Sequence, residues 1–492
     1  MYLDIYLGIY LLNRINQMEL YIIKQSNLII CLNFIRKILL EFENRVTLMM
    51  DIVLLSRLQF AITVFFHFIF VPLTIGLGAM VAGFEVAYWK TLNEKWKRLA
   101  KFWGNLFKIN FAFGVVTGFA MTFQFGTNWG LYAEFMGDVF ASPLALEALI
   151  AFFLEGTFVG IWLFTSHKRA ALKAVSMVLA SIGTMISAIW IITANSFMQH
   201  PVGYEMAADG SKVLLSNFGE VLTNPYMWYM LIHTLLAAYL LSAMFVIAVS
   251  GYYLIKKTDT DIFRTSMKIG VYLMIISALL LPSFGMFYGH YVGQVQPVKA
   301  AAMEAVWESG SDKPMYLIQI PSLTEDKNMV QILGIPYVGS FLLTGDIHGE
   351  VTGLNDVDPE DRPPVAMTFA SFRIMVMLGM IFILEALIGL YLVFRDPFMI
   401  SRTAKKYMKL MMYSLPLPYL AIAFGWAVAE VGRQPWIVYG LFRTSEAISG
   451  IPAAQLTFSI GLLTLFYLLL FFLFLYLMVK AVKTGPEVKD HA

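Results

Sequence analysis

The chain has 492 residues, of which 59% are hydrophobic and 14% charged, and its mean hydropathy is +0.70. Soluble domains are on average less apolar and far more charged, so this composition excludes a string of soluble domains and indicates several membrane spans. The net charge of +2 gives no reason to expect a nucleic-acid partner, and the single cysteine, Cys31, excludes disulfides within the chain and thiolate-held clusters.

The first 49 residues differ from the rest of the chain. They are rich in Ile, Leu and Asn, carry scattered charges, and lack the basic, apolar and small-residue order of a signal peptide. A clear membrane pattern begins after Met49 and Met50. We therefore predict that residues 1–49 are a non-native or disordered leader and that translation starts near Met50.

Nine apolar runs of spanning length follow the leader. Helices are the economical interpretation, because a lone chain in lipid must satisfy its backbone internally, and the alternation typical of a membrane barrel is missing. The predicted fold is an all-α, polytopic membrane bundle of about nine helices. The runs are 54–89, 102–125, 143–166, 174–197, 228–255, 268–288, 367–394, 411–431 and 456–479.

Lys and Arg concentrate in the odd-numbered connections and after the last helix, as with Lys95, Lys97 and Arg98 in the first connection. By the positive-inside rule these segments and the C-terminus are cytoplasmic, and the N-terminus is outside. The predicted regions are residues 50–289 (helices 1–6), 290–366 (an outer segment), 367–480 (helices 7–9) and 481–492 (a cytoplasmic tail).

Polar side chains inside the predicted spans are the candidate functional residues, because an ionisable group at the bilayer centre costs roughly 2.5–3.5 kcal/mol. All are predicted to lie within about four helical turns of the outer side, a convergence that a cofactor site requires. For each one, a hydrogen-bonded core residue is the alternative. The candidates are His67, Glu147, Glu155, His233, Arg373 and Glu430, with Met375 as a possible soft ligand.

Two intramembrane histidines at one depth, His67 and His233, favour haem, since imidazole is a common haem ligand. Met375 is weak by itself among 29 methionines. Its neighbour Arg373 could bind a haem propionate, and ligation by His and Met together fills both axial positions of an electron-carrying haem.

The carboxylates indicate other roles. Glu147 and Glu155 are separated by about 12 Å along an α-helix and by about 80° around it, which suits a cavity wall or a proton path better than a shared metal ion. Glu430 lies in the last turn of the predicted eighth helix, at the negative end of the helix dipole. A cation must offset its charge, either Arg433 or a bound metal.

These residues lie in motifs that resemble subunit I of the cytochrome bd quinol oxidase family, from about Met50 to the end of the ninth helix. The short outer segment resembles the short-loop branch of that family, and the leader matches nothing in it. The motifs are SRLQF, FFHFIFVPLT, KFWGNLFKINFAFGVVTG, FQFGTNWG, PLALEALIAFFLEGTFVG, AIWIITANSFMQHPVG, QPVKAAAMEAVWE, FRIMV and GRQPW.

The resemblance implies His233 and Met375 as axial ligands of a low-spin haem b. It implies His67 and Glu430 as ligands of the two haems of an O₂-reducing centre, a high-spin haem b and a haem d, without saying which residue binds which. A haem b in place of haem d stays open. The other implied positions are Glu147 near that centre, Glu155 in a proton pathway, Lys299 and Glu304 at a quinol-linked site, and Arg373 and Arg433 beside haem or propionate charge.

The implied reaction is quinol oxidation on the outer side coupled to reduction of O₂ to water with protons from the cytoplasm. Each electron then moves about one charge across the membrane, worth roughly 2.3 kcal/mol per 100 mV, without pumping. The implied location is a bacterial or archaeal cytoplasmic membrane, with a second large subunit as partner and a small single-helix subunit left open. From the residues alone, a non-redox transporter or channel and a haem-bearing anchor stay open as alternatives.

Overall fold

The computed structural model describes residues 51–486. The predicted leader and start position lie outside the described residues. Within 51–486, eight helical segments are long and apolar enough to cross a membrane, and one bent helix pair brings the number to nine. The predicted all-α, multi-pass bundle is therefore confirmed.

The helices begin at residues that suit helix starts. The Asn93 side chain accepts a hydrogen bond from the Lys95 N–H, and the Asn224 side chain accepts one from the Tyr226 N–H. The helices are α1 (Ile52–Phe68), α2 (Val71–Thr91), α3 (Glu94–Thr127), α4 (Gly130–Leu146), α5 (Phe153–Phe164), α6 (Ala170–Gln199), α7 (Phe218–Thr223), α8 (Pro225–Lys256), α9 (Thr260–Val295), α10 (Pro297–Glu304), α11 (Val338–Thr344), α12 (Val365–Arg395), α13 (Arg402–Ser414), α14 (Pro416–Val431) and α15 (Ala453–Thr484).

Short antiparallel hairpins lie in the connections, where the chain turns back on itself between helices. The longest pairs Met315 opposite Ile335. The strands are β1 (Tyr204–Met206), β2 (Val213–Leu215), β3 (Met315–Pro321), β4 (Asn328–Ile335), β5 (Trp436–Val438) and β6 (Phe442–Arg443), and they pair as β1–β2, β3–β4 and β5–β6.

The first predicted run is broken into two helices. α1 ends at Phe68 and α2 starts at Val71, with Pro72 in its first turn. Proline lacks a backbone N–H, so it is tolerated in the first turn of a helix but interrupts a continuous one. The break leaves His67 in the last turn of α1, in the middle of the span.

A π-helical turn, Glu147–Phe152, joins α4 to α5. The predicted separation of Glu147 and Glu155 by about 80° assumed an uninterrupted α-helix, and that assumption is wrong. In a π turn the backbone bonds from i to i+5, which inserts a residue and rotates everything that follows. π turns are frequent at functional sites, and this one starts at one of the two candidate acids.

The predicted eighth span, 411–431, is the bent pair α13 and α14, which meet at 40°. Pro416 opens α14 and explains the break. α13 buries Tyr407 and Met411 on one face and exposes Lys405 and Lys409 on the other, as an amphipathic helix at a membrane surface does.

The predicted outer segment, residues 290–366, is ordered. α9 continues to Val295, past the predicted boundary, and is followed by α10, the β3–β4 hairpin and α11. α10 is almost entirely buried. Order in a connection of this length is typical of a segment that carries function.

The structure comprises two compact units. The first contains residues 51–58 and Gly450–Leu462, with its own small apolar cluster around Leu55 and Leu456. The second contains Gln59–Ser449 and the chain from Leu463 onward, and includes every candidate site residue. Its main core is built from α2, α3, α8, α9 and α12, and there the buried Trp103 indole donates to Ser266 at 2.9 Å.

Candidate functional site

Glu430, in the last turn of α14, is surrounded by hydrogen-bond donors. Arg433 Nη2 lies 2.6 Å from Glu430 Oε2, and Asn195 Nδ2 and Gln199 Nε2 from α6 approach Oε1 at 2.9 and 3.4 Å. The buried Arg433 guanidinium therefore supplies the cation that a carboxylate at a helix C-terminus needs.

Lys299 of α10 joins the same network. Its Nζ donates to Gln199 Oε1 and the Ala429 carbonyl, both at 2.9 Å, and to the Tyr226 hydroxyl at 3.3 Å. The residue is only 2% exposed. Burial has the largest influence and lowers the pKa of Lys299 to about 7; the Glu430 carboxylate opposes this shift and the Arg433 guanidinium adds to it.

Glu304, at the other end of α10, forms an ion pair with Arg373 of α12 and is 5% exposed. Burial raises the pKa of Glu304 above its usual range, while the Arg373 guanidinium opposes that shift. The Arg373 guanidinium also lies 5.2 Å from the Phe369 ring. One short helix is thus attached to α6 and α14 through Lys299 and to α12 through Glu304.

His67 has a defined hydrogen-bonding state. Its Nδ1 is 3.0 Å from the Thr117 hydroxyl oxygen, and that hydroxyl donates its single proton to the carbonyls of Phe113 and Gly114 at 2.9 and 3.1 Å. The hydroxyl must therefore accept from His67 Nδ1–H, a tautomer assigned from this network. Nε2 keeps its lone pair and is the atom that can bind a metal.

A glycine faces each of three predicted axial ligands. A Cβ at Gly118 would lie 3.2 Å from His67 Cε1, one at Gly285 would lie 3.3 Å from His233 Cε1, and one at Gly425 would lie 3.1 Å from Met375 Sδ. All three ligands are only half-buried. Glycines on the opposing helices therefore approach these side chains closely, at positions where a larger residue would crowd them.

The acids of the predicted proton path contact one face of α6. Ser187 Oγ donates to Glu147 Oε1 at 2.9 Å. One turn earlier, Gly183 lies against Glu155, where a Cβ would be 3.2 Å from the Glu155 Cα. Both acids therefore lie along α6, the helix that also carries Asn195 and Gln199 at the Glu430 end.

Three polar or aromatic residues of the site were missed in the sequence. Gln199 contacts both Glu430 and Lys299, and Asn195 also binds Glu430. Trp426 stacks on Phe68, the neighbour of His67, with ring centroids 4.7 Å apart. The sequence could have indicated the two amides, because burying Asn or Gln in an apolar helix costs free energy unless the side chain has hydrogen-bond partners.

α14 brings most of the candidates together. It carries Glu430, contacts Met375 through Gly425, and packs Trp426 beside the His67 segment. Among the described residues, no hydrogen bond or ion pair joins His233, Glu147 or Glu155 to Glu430 or to the side chains bonded to Glu430. The site is thus a set of separate single ligands around α14 and α6.

These ligands suit haem better than a bare ion. Across residues 51–486 no group of three or more His, Cys, Asp or Glu side chains could hold a metal ion. A haem brings its own equatorial nitrogens and needs one or two axial side chains. Three buried guanidinium nitrogens without a described partner, Arg373 Nε and Arg433 Nε and Nη1, are donors available to such a group, and His233 Nδ1 is also buried without a described partner.

The fold and the site together define a multi-pass helical membrane protein whose spans contain half-buried imidazole, thioether and carboxylate groups, the kinds of side chain that can bind haem. The family described as cytochrome bd terminal oxidase subunit I matches residues 55–486. The chain therefore belongs to the family of cytochrome bd terminal oxidase subunit I, as its motifs predicted.

Individual relatives agree with this membership. The chain is 38% identical to cytochrome bd ubiquinol oxidase subunit 1 of Bacillus subtilis, over 90% of this chain and 96% of that protein. It is 33% identical to cytochrome bd-II ubiquinol oxidase subunit 1 of Escherichia coli, over 89% and 98%. The bd oxidase of Geobacillus thermodenitrificans has a similar structure, with a TM-score of 0.81, 30% identity and coverage of 89% and 99%.

Family membership establishes the coarse function. The chain is a subunit of a haem-containing terminal oxidase, it lies in a membrane with several spans, and it has a subunit II as partner.

Proposed function

We propose that this chain is the quinol-oxidising and O₂-reducing subunit I of its complex, with quinol oxidised on the outer side and protons for water taken from the cytoplasm. The observation that supports the proposal is the way α10 is bonded to α6, α14 and α12. Of the proposed quinol-linked positions, Lys299 is bonded to Gln199, which also approaches Glu430, and Glu304 is ion-paired with Arg373. A substrate at α10 is therefore directly adjacent to the ligand-bearing helices.

The proposed cofactor residues are His233 and Met375 for a low-spin haem b, and His67 and Glu430 for the two haems of the O₂ centre. When bound, haem supplies one-electron transfer and, where its iron has an open position, O₂ binding. The protein's part is to orient these ligands. Thr117 selects the His67 tautomer, Asn195 holds Glu430, and Arg373 and Arg433 balance negative charge.

Proton movement is assigned to Glu155 and Glu147. Neither acid has an ion-pair partner among the described residues, and the one side-chain bond to Glu147 comes from a neutral hydroxyl, so both can gain and lose a proton without breaking an ion pair. Protons consumed on one side and released on the other give a membrane potential without pumping, roughly 2.3 kcal/mol per charge per 100 mV.

The proposed orientation places the basic connections in the cytoplasm and the N-terminus outside. The proposed location is the bacterial or archaeal cytoplasmic membrane. Both relatives from Bacillus subtilis and Escherichia coli are named for ubiquinol. We propose a lipid quinol as the electron donor here. The proposed partner is subunit II, and a small single-helix subunit stays open as a further partner. The haem at the third position is haem d or a haem b in its place.

A reduced-minus-oxidised spectrum of the purified complex tests the proposal. We expect a low-spin band together with high-spin bands that shift when CO is added, and O₂ consumption on addition of quinol. A complex without haem bands would indicate a transporter. A low-spin band alone, without a CO response, would indicate a haem-bearing anchor.

Quinol binding is expected to depend on the charge of Lys299. Below pH 7 its ammonium has three N–H donors for three acceptors; above pH 7 the amine loses one donor and its positive charge. The docking of α10 then loosens, so we expect the KM for quinol to rise severalfold as the pH increases through about 7.

The variant Lys299→Met should have a high KM with no step near neutral pH. Lys327→Met is the matched control, because Lys327 is an exposed lysine of the same outer segment. It should keep the wild-type profile. An unchanged pH step in Lys299→Met would assign the titration to another group.

A further inference from the structure

A carboxyl group outside the proposed site is buried in the membrane domain. Glu85 of α2 is 1% exposed. Its Oε1 accepts from the Trp162 indole N–H at 2.8 Å, and its Oε2 is buried with no hydrogen-bond partner. A buried acid with a free oxygen is costly, and that oxygen is available to bind a proton.

A buried lysine, Lys173, contacts Trp162 as well. Lys173 Nζ donates to the carbonyls of Trp162 and Thr165 at 2.7 and 3.2 Å and lies 5.0 Å from the Trp162 ring centroid. Lys173 and Glu85 attract each other electrostatically, and Lys108 of α3 acts on Lys173 as a like charge. Glu85, Trp162 and Lys173 are named here the Glu85 cluster.

The Glu85 cluster lies close to the surface that carries the basic connections. Glu85 is six residues from the end of α2 at Thr91, about 9 Å along the helix. Lys173 is three residues into α6, and Trp162 is two residues from the end of α5. All three positions adjoin the side that we propose to be cytoplasmic.

The same helices lead from the Glu85 cluster to the proposed proton path. On α5, Glu155 and Trp162 are seven residues apart, on one face and separated by about 10 Å. On α6, Lys173 faces Trp162, Gly183 faces Glu155, and Ser187 binds Glu147. Three protonatable positions therefore follow one another between the basic side and the O₂ centre.

We propose that Glu85 is the group that takes up protons from the basic side and passes them to Glu155, an inference that rests on the proposed function. A proton from solvent binds the free Glu85 Oε2 and then moves to the Glu155 carboxylate, so only O–H bonds form and break. Trp162 fixes the carboxyl group, and Lys173 stabilises its charged form. Water must bridge the interval from Glu85 to Glu155, which is about 10 Å along α5 from Trp162.

Glu85→Gln in the complete complex, reconstituted in liposomes, tests this inference. We expect steady-state O₂ reduction and proton uptake, measured with a pH dye on the uptake side, to slow about tenfold or more. Haem content and the KM for quinol should stay at wild-type values. Glu85→Asp should restore a large part of the rate, because it restores a protonatable group.

Glu385→Gln is the matched control. Glu385 of α12 is also a buried acid that is bonded to one side chain, Ser414, and has one unpartnered oxygen. It is not part of the Glu85 cluster or the site, so its variant should keep turnover and proton uptake within twofold of wild type. An equal loss in both variants would mean that burial of an acid, and not proton uptake, explains the effect.

The failure of the inference and the failure of the proposed function can be told apart. If Glu85→Gln keeps the proton uptake and turnover of the unmutated complex, the inference is overturned and the proposed function stands. If the unmutated complex has no quinol oxidase activity, the proposed function is overturned. If Glu85→Gln does not assemble, Trp162→Phe decides, because it removes the N–H donor and keeps the ring. Slower proton uptake with an intact spectrum supports the inference, and unchanged uptake overturns it.

Discussion

Replacement of His233 by alanine is expected to remove the low-spin haem and reduce quinol oxidation to background. The imidazole lies on α8 against Gly285, and its Nδ1 is buried without a partner among the described residues. A thioether is a weak ligand, so Met375, the other proposed ligand, should not retain the haem alone. The low-spin band should disappear from the reduced-minus-oxidised spectrum, while the high-spin bands that respond to CO remain.

His290→Ala is the control for this experiment. His290 lies on α9, with its ring 5.7 Å from Phe341 and its Nε2 buried without a partner, so it resembles His233 in chemistry and burial. Its variant should keep the full low-spin band. A complete low-spin band in His233→Ala would remove this residue from the ligand set and leave Met375 without its proposed axial partner.

Glu155→Gln is expected to lower the turnover of O₂ reduction by about 100-fold, within the range typical of lost proton-transfer groups. The amide has the same shape as the carboxyl but cannot carry a proton. Since Glu155 packs against Gly183 and is not a proposed haem ligand, the haem spectrum and the KM for quinol should not change. Charge movement in liposomes should fall in parallel with turnover.

Glu134→Gln is the control for this experiment, because Glu134 is an exposed acid on α4, in the same membrane span as Glu155. It should be indistinguishable from wild type. Glu155→Asp should regain part of the lost rate. Full turnover in Glu155→Gln would exclude this residue from the path, and proton uptake from the outer side in the wild-type complex would exclude the proposed route as a whole.

The candidate site was largely predictable as a set of residues but not as a set of contacts. His67, His233 and Glu430 stand out in the sequence because polar groups are expensive in lipid, and that cost is a property of each segment alone. The hydrogen bonds from Asn195 and Gln199 to Glu430 join residues more than 200 positions apart in the chain. Hydropathy contains no information about such pairs.

One sequence prediction about the candidate acids was wrong. The separation of Glu147 and Glu155 was calculated for a regular helix, whereas the chain forms a π turn there. Residue spacing alone does not show where a helix departs from the regular α form. Glu85 is buried and accepts a hydrogen bond from the Trp162 indole, 77 positions away, a partner that the sequence around Glu85 does not reveal.

By itself, the sequence determined the class of protein, the approximate spans, the family and the identities of most candidate ligands. These follow from the free energy of transferring each segment into lipid and from short motifs, which are local properties. Only the tertiary structure decided that α14 and α6 carry or contact many of the candidate residues, that α10 is buried between them and α12, and that Glu147 and Glu155 both lie against α6. Those outcomes depend on how helices that are distant in the chain pack together, and a local sequence pattern contains no information about that packing.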